Sequence, residues 1–370
     1  MSAFAVPILP LDDVLPHPNA DRLELAVLGG YRSIIPKGVY KPGDLVIYVP
    51  EGAIMPPYML EREHLTDKLA GAAKNRVKAI KLRGVLSQGI VVSPLEYDIE
   101  LGANPPANDN VAADLGIVKY EPAVPVRMQG QLGALHGFTK SYDFDNIKKR
   151  PHLFQPEDVV VLTEKLHGTY VQMGWRRDIE PNPELFGDGR AFVTSKGIAQ
   201  KGLYIKNTPE NAENIYLRTL LSSGLLDTLF TEEHLCDPKL LGVYVMGEIF
   251  GDVQDLKYGH AAGQTTFRLF DILMVYDDQE YFLRHEVLQL TAAHLHLKMV
   301  PDVTFGFWRD VEPRLEEFTR GQSLLDPSQI REGVVIKCFH DRIDKRYGRC
   351  IAKSVSEDYL LRKGDVTEMA

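Results

Sequence analysis

The chain has 370 residues, a hydrophobic content of 44%, a charged content of 25% and a formal net charge of −9. This composition is ordinary for a soluble globular protein, and the length suffices for two domains, each with its own core. The acidic balance argues against a nonspecific polyanion binder, although a local basic field can still bind nucleic acid.

Membrane, secretory and zinc-binding classes are also disfavoured. No apolar run approaches the roughly 20 residues that span a bilayer, and the N-terminal residues lack a secretory signal pattern. Cys236, Cys338 and Cys350 show no CxxC spacing, which favours a reducing cytoplasm and argues against structural zinc. His294 and His296 have no cysteine or acidic partner nearby, so we interpret them as helix-face histidines. We therefore expect a cytoplasmic protein.

The first hundred residues contain short strand-like runs separated by glycine and proline turns. The runs cover residues 23–28, 31–35, 44–49 and 90–92. Strands of this length and spacing predict a small barrel. A basic cluster at residues 74–83 contributes Lys74, Lys78, Lys81 and Arg83, which are candidates for nucleic-acid contact or plain surface charge.

A linker and a second domain are predicted after the barrel. Residues 102–114 have the composition of a linker, and we expect residues 106–155 to be connecting structure between a first domain at 1–105 and a second at 156–370. In the second domain, strand-like and helical runs alternate, which predicts an α+β fold. The predicted strands cover residues 159–163, 170–175, 191–194, 242–250, 266–275, 333–338 and 350–353, and the predicted helices cover 210–225, 283–298 and 311–320.

The most informative segment is the β-branched run that ends at Lys165 and continues as Leu-His167-Gly168. No glycine-rich phosphate loop of the common nucleotide-binding types occurs in the sequence. A lysine delivered by a buried strand is instead suited to act as a nucleophile toward phosphorus, because burial and nearby cations favour its neutral form. Gly168 would let the backbone pass close to a ligand.

Further strand-borne signals follow this segment in a fixed order. They are Ser195-Lys196-Gly197, Glu248, Phe270-Asp271, Arg331-Glu332-Gly333 with Lys337, and Lys353. In this order they resemble motifs I, Ia, III, IIIa, IV and V of the covalent nucleotidyltransferase superfamily, over about residues 156–360. Within it, Glu164-Lys165-Leu166-His167-Gly168 is most similar to motif I of ATP-dependent RNA ligases. Residues 17–23 and 41–52 are similar to OB-fold modules, so the whole chain resembles nick-sealing RNA ligases with an N-terminal OB domain.

The resemblance implies an OB-type β-barrel followed by an antiparallel-sheet nucleotidyltransferase domain, ATP-grasp-like in type, within the α+β class. It implies an RNA ligase that uses ATP as the AMP donor and Mg²⁺ or Mn²⁺ as cofactor, joins 3′-OH and 5′-phosphate ends of RNA, and needs no membrane or obligate protein partner. The alternatives are a DNA ligase, an mRNA-capping guanylyltransferase and a non-catalytic OB-fold RNA-binding protein. Because 17 residues follow Lys353, we expect no second OB domain there.

The resemblance also implies roles for individual residues. Lys165 would be the nucleophile, and Lys337 and Lys353 would neutralise the phosphate. Nucleotide contacts would come from Glu164, His167, Gly168, Lys196, Glu248 and Phe270, with Phe270 stacked on adenine, and the metal would be held by Glu332 and Glu248. Structural roles stay open for the same residues. Glu248 and Glu332 could be strand-end acids, Glu164 an acid that supports the fold, and Phe270 a core aromatic. Lys337 and Lys353 could be solvent-facing or structural lysines.

Four positions depart from the pattern of related ligases. His167 stands where many members have aspartate, Tyr170 where some have asparagine, and Lys196 where arginine is usual. Motif V often has two lysines, and here Lys353 is the single one; Lys345 or Arg349 could compensate. A metal–water contact by an acid at position 167 therefore does not carry over.

Overall fold

The computed structural model describes residues 4–99, 109–121, 123–231 and 235–362. These residues form two compact units, one comprising the described residues up to 121 together with residues 360–362, and the other running from Ala123 to Tyr359. Part of the predicted linker, residues 102–108, lies outside the described residues. Within the described ranges, no helix combines the length and apolarity needed to cross a membrane.

The N-terminal unit consists of short antiparallel strands and one short helix. Its elements are β1 (Ile8–Pro10), β2 (Asp13–Pro16), β3 (Leu23–Leu28), β4 (Tyr31–Pro36), β5 (Leu45–Val49), β6 (Ala53–Ile54), α1 (Pro57–Arg62), β7 (Ile80–Leu82), β8 (Val85–Ser87), β9 (Ile90–Val92) and β10 (Val118–Lys119). The sheets have the orders β1-β5-β9, β2-β3-β4, β6-β10 and β7-β8. Four of these strands, β3, β4, β5 and β9, coincide closely with the predicted runs.

Alternating apolar side chains hold this unit together. One core includes Ile8, Ile47 and Val92, and the other includes Ala26, Val46 and Val91. Adjacent residues of β5 and of β9 thus point into different cores, as the period-two geometry of a strand requires. Val111 and Ala112, from the segment with linker composition, are buried in the first core.

The second unit begins with irregular structure and continues into two antiparallel sheets. Its strands are β11 (Leu132–Ala134), β12 (Val159–Lys165), β13 (Thr169–Arg176), β14 (Ala191–Ser195), β15 (Leu203–Ile205), β16 (Leu240–Gly251), β17 (Thr265–Tyr276), β18 (Glu280–Phe282), β19 (Asp302–Phe307), β20 (Gly333–Cys338), β21 (Ile343–Asp344), β22 (Gly348–Arg349) and β23 (Ile351–Val355). Its helices are α2 (Lys196–Ala199), α3 (Ile215–Ser222), α4 (Leu225–Leu229), α5 (His285–His294), α6 (Trp308–Val311), α7 (Leu315–Thr319) and α8 (Glu357–Leu360).

The larger sheet has the strand order β11-β15-β14-β13-β16-β17-β18, and the smaller has the order β19-β12-β20-β23. One face of the larger sheet packs against α3, α4 and α5 through residues such as Val171, Val245 and Leu269. The smaller sheet buries Val160, Leu162 and the side chains around them on one face. The opposite face of the larger sheet carries a further buried cluster that includes Tyr244, Met246 and Leu273.

The predicted helices are present but shorter and interrupted. The run at 210–225 becomes a 3₁₀ turn followed by α3, and Gly224 then adopts a left-handed conformation (φ 68°) that separates α3 from α4. The run at 311–320 is broken by a 3₁₀ turn over Glu312–Arg314, because Pro313 lacks the backbone N–H that a continuous helix needs. Strand β19 was not predicted.

Candidate functional site

Lys165 is the last residue of β12, and the pairing of this strand determines its surroundings. Three β-branched valines and a leucine form a strand that is buried on both faces. Lys165 is directly opposite Gly333 on β20, so Glu332 lies one residue before the pair. The amine of Lys165 donates to Oε1 of Glu332, whose side chain is 2% exposed. The structure thus brings the predicted nucleophile and the best predicted metal residue together.

The same register places three lysines on one face of the smaller sheet. Residues paired across antiparallel strands share a face, and alternate residues of a strand return to it. Gly333, Val335 and Lys337 therefore share the face of Lys165, and Lys353 joins them because it pairs with Val335. The amine of Lys353 has no hydrogen bond or ion pair among the described residues. It is therefore available to an anion.

Glu164 lies on the other face of β12, away from Lys165. It pairs with Val334, and its carboxylate accepts a hydrogen bond from the backbone N–H of Leu324 at 2.8 Å. Burial raises the pKa of this carboxyl, and contacts with Ser323 and Leu324 oppose the rise. The second carboxylate oxygen is buried and has no hydrogen-bond partner within the described residues. Glu164 is thus engaged with the loop before β20.

Glu248 faces Lys165 from the larger sheet. It lies on β16 between Tyr170 and Arg268, on the face that does not pack against the helices. Burial raises its pKa to about 8; Lys165 acts against this rise and Glu332 adds to it. The Glu248 carboxyl is therefore mostly protonated at neutral pH when no metal ion is bound. The carboxyl groups of Glu248 and Glu332 and the amine of Lys165 thus lie close to one another.

A β-bulge directs two adjacent residues of β17 to the same side. The pairing of β16 with β17 shifts between Met246 and Gly247, which leaves Phe270 as the extra residue. Phe270 and Asp271 therefore both contact Tyr142, Phe270 through ring centroids 5.3 Å apart and Asp271 through a hydrogen bond from the tyrosine hydroxyl. Tyr170 packs on the same aromatic group, with its centroid 6.0 Å from that of Phe270.

Asp271 joins the two sheets through a buried network of charges. Arg349 donates two hydrogen bonds to its carboxylate, at 2.8 and 3.0 Å, and Lys337 contacts it at 3.3 Å. Burial alone would raise the pKa of Asp271, but Arg349 and Lys337 outweigh burial and hold it at about 2. Lys337 also donates to the carbonyl of Phe270 at 2.7 Å. Its own pKa is lowered by burial, against the pull of Asp271.

Arg349, one of the two candidates for the place of the second lysine of motif V, is engaged by protein groups. Besides Asp271 it binds Asp341 at 2.6 Å, and its guanidinium lies 3.7 Å from the centre of the Phe282 ring. All of these partners are protein groups, so the guanidinium serves the junction between the sheets. No contact is found for the side chain of Lys345 in the described part of the chain.

Residues 139–146, which we call the strap, contact both sheets. From the larger sheet, Gln172 exchanges hydrogen bonds with the backbone of Lys140. Asp143 forms an ion pair with Lys196 at 2.9 Å. From the smaller sheet, the N–H of Lys353 donates to the carbonyl of Asp145 at 3.0 Å. Two of the predicted phosphate-binding lysines thus touch a segment that we predicted to be irregular connecting structure.

The turn after Lys165 is fixed by buried contacts. His167 is 3% exposed, and its ring nitrogens bind Asp255 at 2.6 Å and Tyr359 at 2.9 Å. At Gly168, a β-carbon would come within 2.2 Å of the carbonyl oxygen of Ile249, so the close approach of the turn to β16 requires glycine. His167 and Gly168 therefore shape the end of the strand that carries Lys165.

The donor set is suited to a divalent cation. Oε2 of Glu332 is buried without a hydrogen-bond partner within the described residues, and Nδ1 of His167 lies 3.8 Å away. A hard cation prefers carboxylate oxygens, and Glu248 supplies a second such group. No cluster of three or more His, Cys, Asp or Glu side chains placed to hold a metal occurs in the ranges that the structure describes. The protein thus offers two carboxylates, and the remaining ligands would be water or substrate oxygens.

Several residues of this region were not singled out from the sequence. Tyr142, Asp143, Asp255 and Tyr359 act through contacts between segments that are distant in the chain. Asp271 was noted as an acid within a strand, without a role. Phe270 and Asp271 point to the same side because of a β-bulge, and a bulge leaves no signal in a single sequence.

Comparison with known proteins gives a family and a fold. Residues 158–355 match the RNA ligase family, and residues 6–95 match an OB-fold domain family. No curated protein sequence matches the chain. The first match covers more than half of the chain and includes every predicted site residue.

Solved structures of Naegleria gruberi RNA ligase are similar over nearly the whole chain. A mutant with AMP and Mn has a TM-score of 0.76 and 21% identity, over 96% of this chain and 98% of the other. A mutant with ATP and Mn has a TM-score of 0.77 and 21% identity, with the same coverage of both chains. The complex with PPi has a TM-score of 0.77 and 21% identity, over 96% of this chain and 97% of the other. These matches confirm the predicted fold class, an OB-type domain followed by an antiparallel-sheet ligase domain.

Proposed function

The chain belongs to the RNA ligase family, and on this basis we propose that it is an ATP-dependent ligase that joins 3′-OH and 5′-phosphate ends in broken or nicked RNA. The observation that carries the proposal is the ion pair of Lys165 with Glu332, which lies on the sheet face that also presents Lys337 and Lys353. The similar ligase from Naegleria gruberi was solved with ATP, AMP and PPi, which supports ATP as the nucleotide.

In the first step, the amine of Lys165 attacks the α-phosphorus of ATP. A P–N bond forms, the bond from the α-phosphorus to the bridging oxygen breaks, and pyrophosphate leaves with its electron pair. The amine must lose a proton to attack, so its ion pair with Glu332 has to be relieved first. Lys353, whose amine has no protein partner in the described ranges, would neutralise the charge that builds on the α-phosphate.

In the second step the AMP moves from Lys165 to the 5′-phosphate of RNA, which forms a phosphoanhydride and regenerates the lysine. In the third, an RNA 3′-OH attacks that activated phosphate, a phosphodiester forms and AMP leaves. Lys196, which forms an ion pair with Asp143, is proposed to contact a phosphate after separating from that carboxylate. As a lysine it offers a point charge rather than the bidentate grip of arginine.

Glu332 and Glu248 would hold a Mg²⁺ or Mn²⁺ ion. The free oxygen of Glu332 and the buried carboxyl of Glu248 are the groups that support this assignment. When bound, the ion supplies Lewis-acid stabilisation of phosphate oxygens. Proximity to such a charge would favour the ionised form of Glu248, which is protonated at neutral pH without it.

Phe270 is proposed to form one wall of the adenine site. It lies with Tyr142 and Tyr170 in an aromatic group on the face of the larger sheet that does not pack against the helices. The backbone carbonyl of Phe270 accepts a hydrogen bond from the buried amine of Lys337, so a shift of Lys337 would also move the Phe270 ring. Lys337 is thus proposed to position Phe270 and Asp271 in addition to any electrostatic effect on the phosphate.

The N-terminal unit is proposed to bind the RNA. Its family match is an OB-fold domain, a fold that binds single strands through basic grooves. Lys74, Lys78, Lys81 and Arg83 are the candidate contacts. We further propose a cytoplasmic location, supported by three cysteines that are all free, and action without an obligate protein partner.

The proposal is tested by incubating the protein with α-labelled ATP and Mg²⁺ or Mn²⁺. We expect the label to become covalently attached to the wild-type protein and to be absent from Lys165→Ala. Lys239→Ala, which changes an exposed lysine, serves as the matched control and should label normally. Equal labelling of Lys165→Ala, or no labelling of the wild type, would reject the proposal.

Substrate identity requires a second experiment. Nicked duplexes that carry either RNA or DNA at the 3′-OH end should be sealed at different rates, because the 2′-OH is the group that distinguishes the two. Equal sealing would remove RNA specificity from the proposal. Labelling with GTP in place of ATP would instead indicate a guanylyltransferase.

A further inference from the structure

The turn that follows Lys165 is clamped by a loop from the end of β16. We call residues 252–258 the clamp loop. Gln254 donates from its side chain to the carbonyl of Gly168, and Tyr258 accepts from the backbone N–H of His167 at 2.7 Å. Asp255 binds Nε2 of His167 at 2.6 Å. Three residues of one short loop thus contact two consecutive residues of the turn.

Both ring nitrogens of His167 are committed to protein partners. Asp255 is a carboxylate and can only accept, so Nε2 carries the proton, and in the neutral ring Nδ1 accepts from the hydroxyl of Tyr359 at 2.9 Å. Tyr359 is itself fully buried on α8. The ring is therefore held in one orientation and, when neutral, in one tautomer. This orientation places Nδ1 3.8 Å from Oε2 of Glu332, too far for a hydrogen bond.

We propose that Asp255 is a positioning residue for lysyl-AMP formation, which acts by holding the His167 ring so that Glu332 keeps its second carboxylate oxygen uncommitted. The inference rests on the proposed function, because it assigns a residue to that reaction. Without Asp255, the ring loses the acceptor for Nε2–H and can reorient. A ring N–H can then donate to Oε2 of Glu332, in competition with the ligand that this oxygen would otherwise bind.

The exposure of Asp255 separates this role from a purely structural one. The Asp255 side chain is 50% exposed, whereas that of His167 is 3% exposed. Removal of a half-exposed carboxylate costs little folding free energy. Loss of a residue that orients a group at the reacting centre typically lowers activity by roughly 10- to 100-fold. We therefore expect removal of the Asp255 carboxylate to lower the rate of lysyl-AMP formation strongly and the free energy of unfolding only slightly.

The test is a double-mutant cycle on the single-turnover rate of lysyl-AMP formation at saturating ATP. The four proteins are the wild type, Asp255→Ala, His167→Ala and the double variant. Asp278→Ala, which changes an exposed aspartate in the turn between β17 and β18, is the matched control. We expect Asp255→Ala to lower the rate about tenfold. In the His167→Ala background the same change should have no further effect, because Asp255 acts through the ring.

A spectroscopic measurement checks the ring directly. With ¹⁵N-labelled histidine at a pH where His167 is neutral, the wild type should show the Nε2–H tautomer, and Asp255→Ala should show a mixture of both. If Asp255→Ala does not fold, Asp255→Leu, which also lacks an acceptor for Nε2–H, is carried through the same cycle. A wild-type rate in the Asp255 variant, or losses that multiply in the double variant, would overturn the inference. If the wild type forms no lysyl-AMP, the proposed function fails, and the tautomer measurement still decides whether Asp255 orients His167.

Discussion

Lys165 and Glu332 form an ion pair although 167 positions separate them in the sequence. The pair exists because β12 and β20 are antiparallel neighbours with Lys165 opposite Gly333. Gly333 is required at this point, since a β-carbon would lie 2.1 Å from the carbonyl oxygen of Ser354. The register of three strands, rather than the composition of any one motif, therefore sets the distance between the nucleophile and its carboxylate.

Replacing Glu332 by glutamine should abolish most of the activity without unfolding the protein. Glutamine keeps the size of the buried side chain but loses the charge that pairs with Lys165 and that would hold a cation. We expect covalent labelling by ATP to fall by roughly 100-fold or more, as for loss of a preorganised electrostatic group. Glu286→Gln, on the exposed face of α5, is the control. Labelling within a few-fold of the wild type in Glu332→Gln would contradict this expectation.

Glu248 should make the stability of the protein depend on pH. Its pKa is raised from the ordinary value of 4.5 to about 8, so the folded state binds the proton more tightly than the unfolded state. The associated stabilisation is present below pH 4.5 and is lost as pH rises to about 8. Glu248→Gln should therefore have nearly wild-type stability at about pH 4 and exceed the wild type by about 1 kcal/mol or more at pH 9. Urea unfolding at both pH values measures this, and an equal difference at the two values would argue against a raised pKa.

The buried network around Asp271 should be a major contributor to stability. Arg349→Ala leaves Asp271, which is fully buried, without its main cationic partner. Breaking a buried ion pair in this way costs about 3–5 kcal/mol. Arg314→Ala removes an exposed ion pair with Glu317 and should cost less than about 1 kcal/mol. Chemical denaturation of both variants compares them directly, and similar losses would show that the network is not strongly coupled.

Gly168, three residues after Lys165, and Gly197, directly after Lys196, should respond differently to replacement by alanine. At Gly168 the added β-carbon would meet the backbone of Ile249 at 2.2 Å, so β13 or β16 would have to shift. We expect Gly168→Ala to cost about 1–3 kcal/mol and to reduce labelling by ATP. At Gly197 nothing lies within 4 Å of the added atom, so Gly197→Ala should be tolerated. Thermal unfolding of the two variants is the measurement, and equal behaviour would disprove the packing argument.

The sequence predicted the strands of the site well because they carry strong local signals. Lys165 and Glu332 stand at the ends of β-branched runs, and Glu248 lies within a long apolar strand, so motif order alone was sufficient to select them. The predicted domain boundaries and the roles of the site residues stay predictions. Glu164 illustrates the limit of motif reasoning, since strand alternation sends its carboxylate to the face opposite Lys165.

The strap and the clamp loop could not be predicted for a physical reason. Neither has the periodicity of a strand or helix, and both act through single polar contacts such as Asp143 with Lys196 and Asp255 with His167. Such contacts depend on the arrangement of distant segments in space. The sequence likewise offered Arg349 as a phosphate contact, because it gives no indication that Asp271 and Asp341 lie within reach.

The strand order of the smaller sheet has a consequence for synthesis of the protein. β12 carries Lys165, but both of its neighbours, β19 and β20, are translated more than a hundred residues later. On the ribosome this strongly apolar strand stays unpaired on both edges while the strands from β13 to β18 are synthesised. Long-range pairing of this kind is slow and exposes aggregation-prone edges. The surroundings of Lys165 therefore form late in synthesis. Nascent chains that stop before β20 should contain Lys165 but should not be able to use it as a nucleophile.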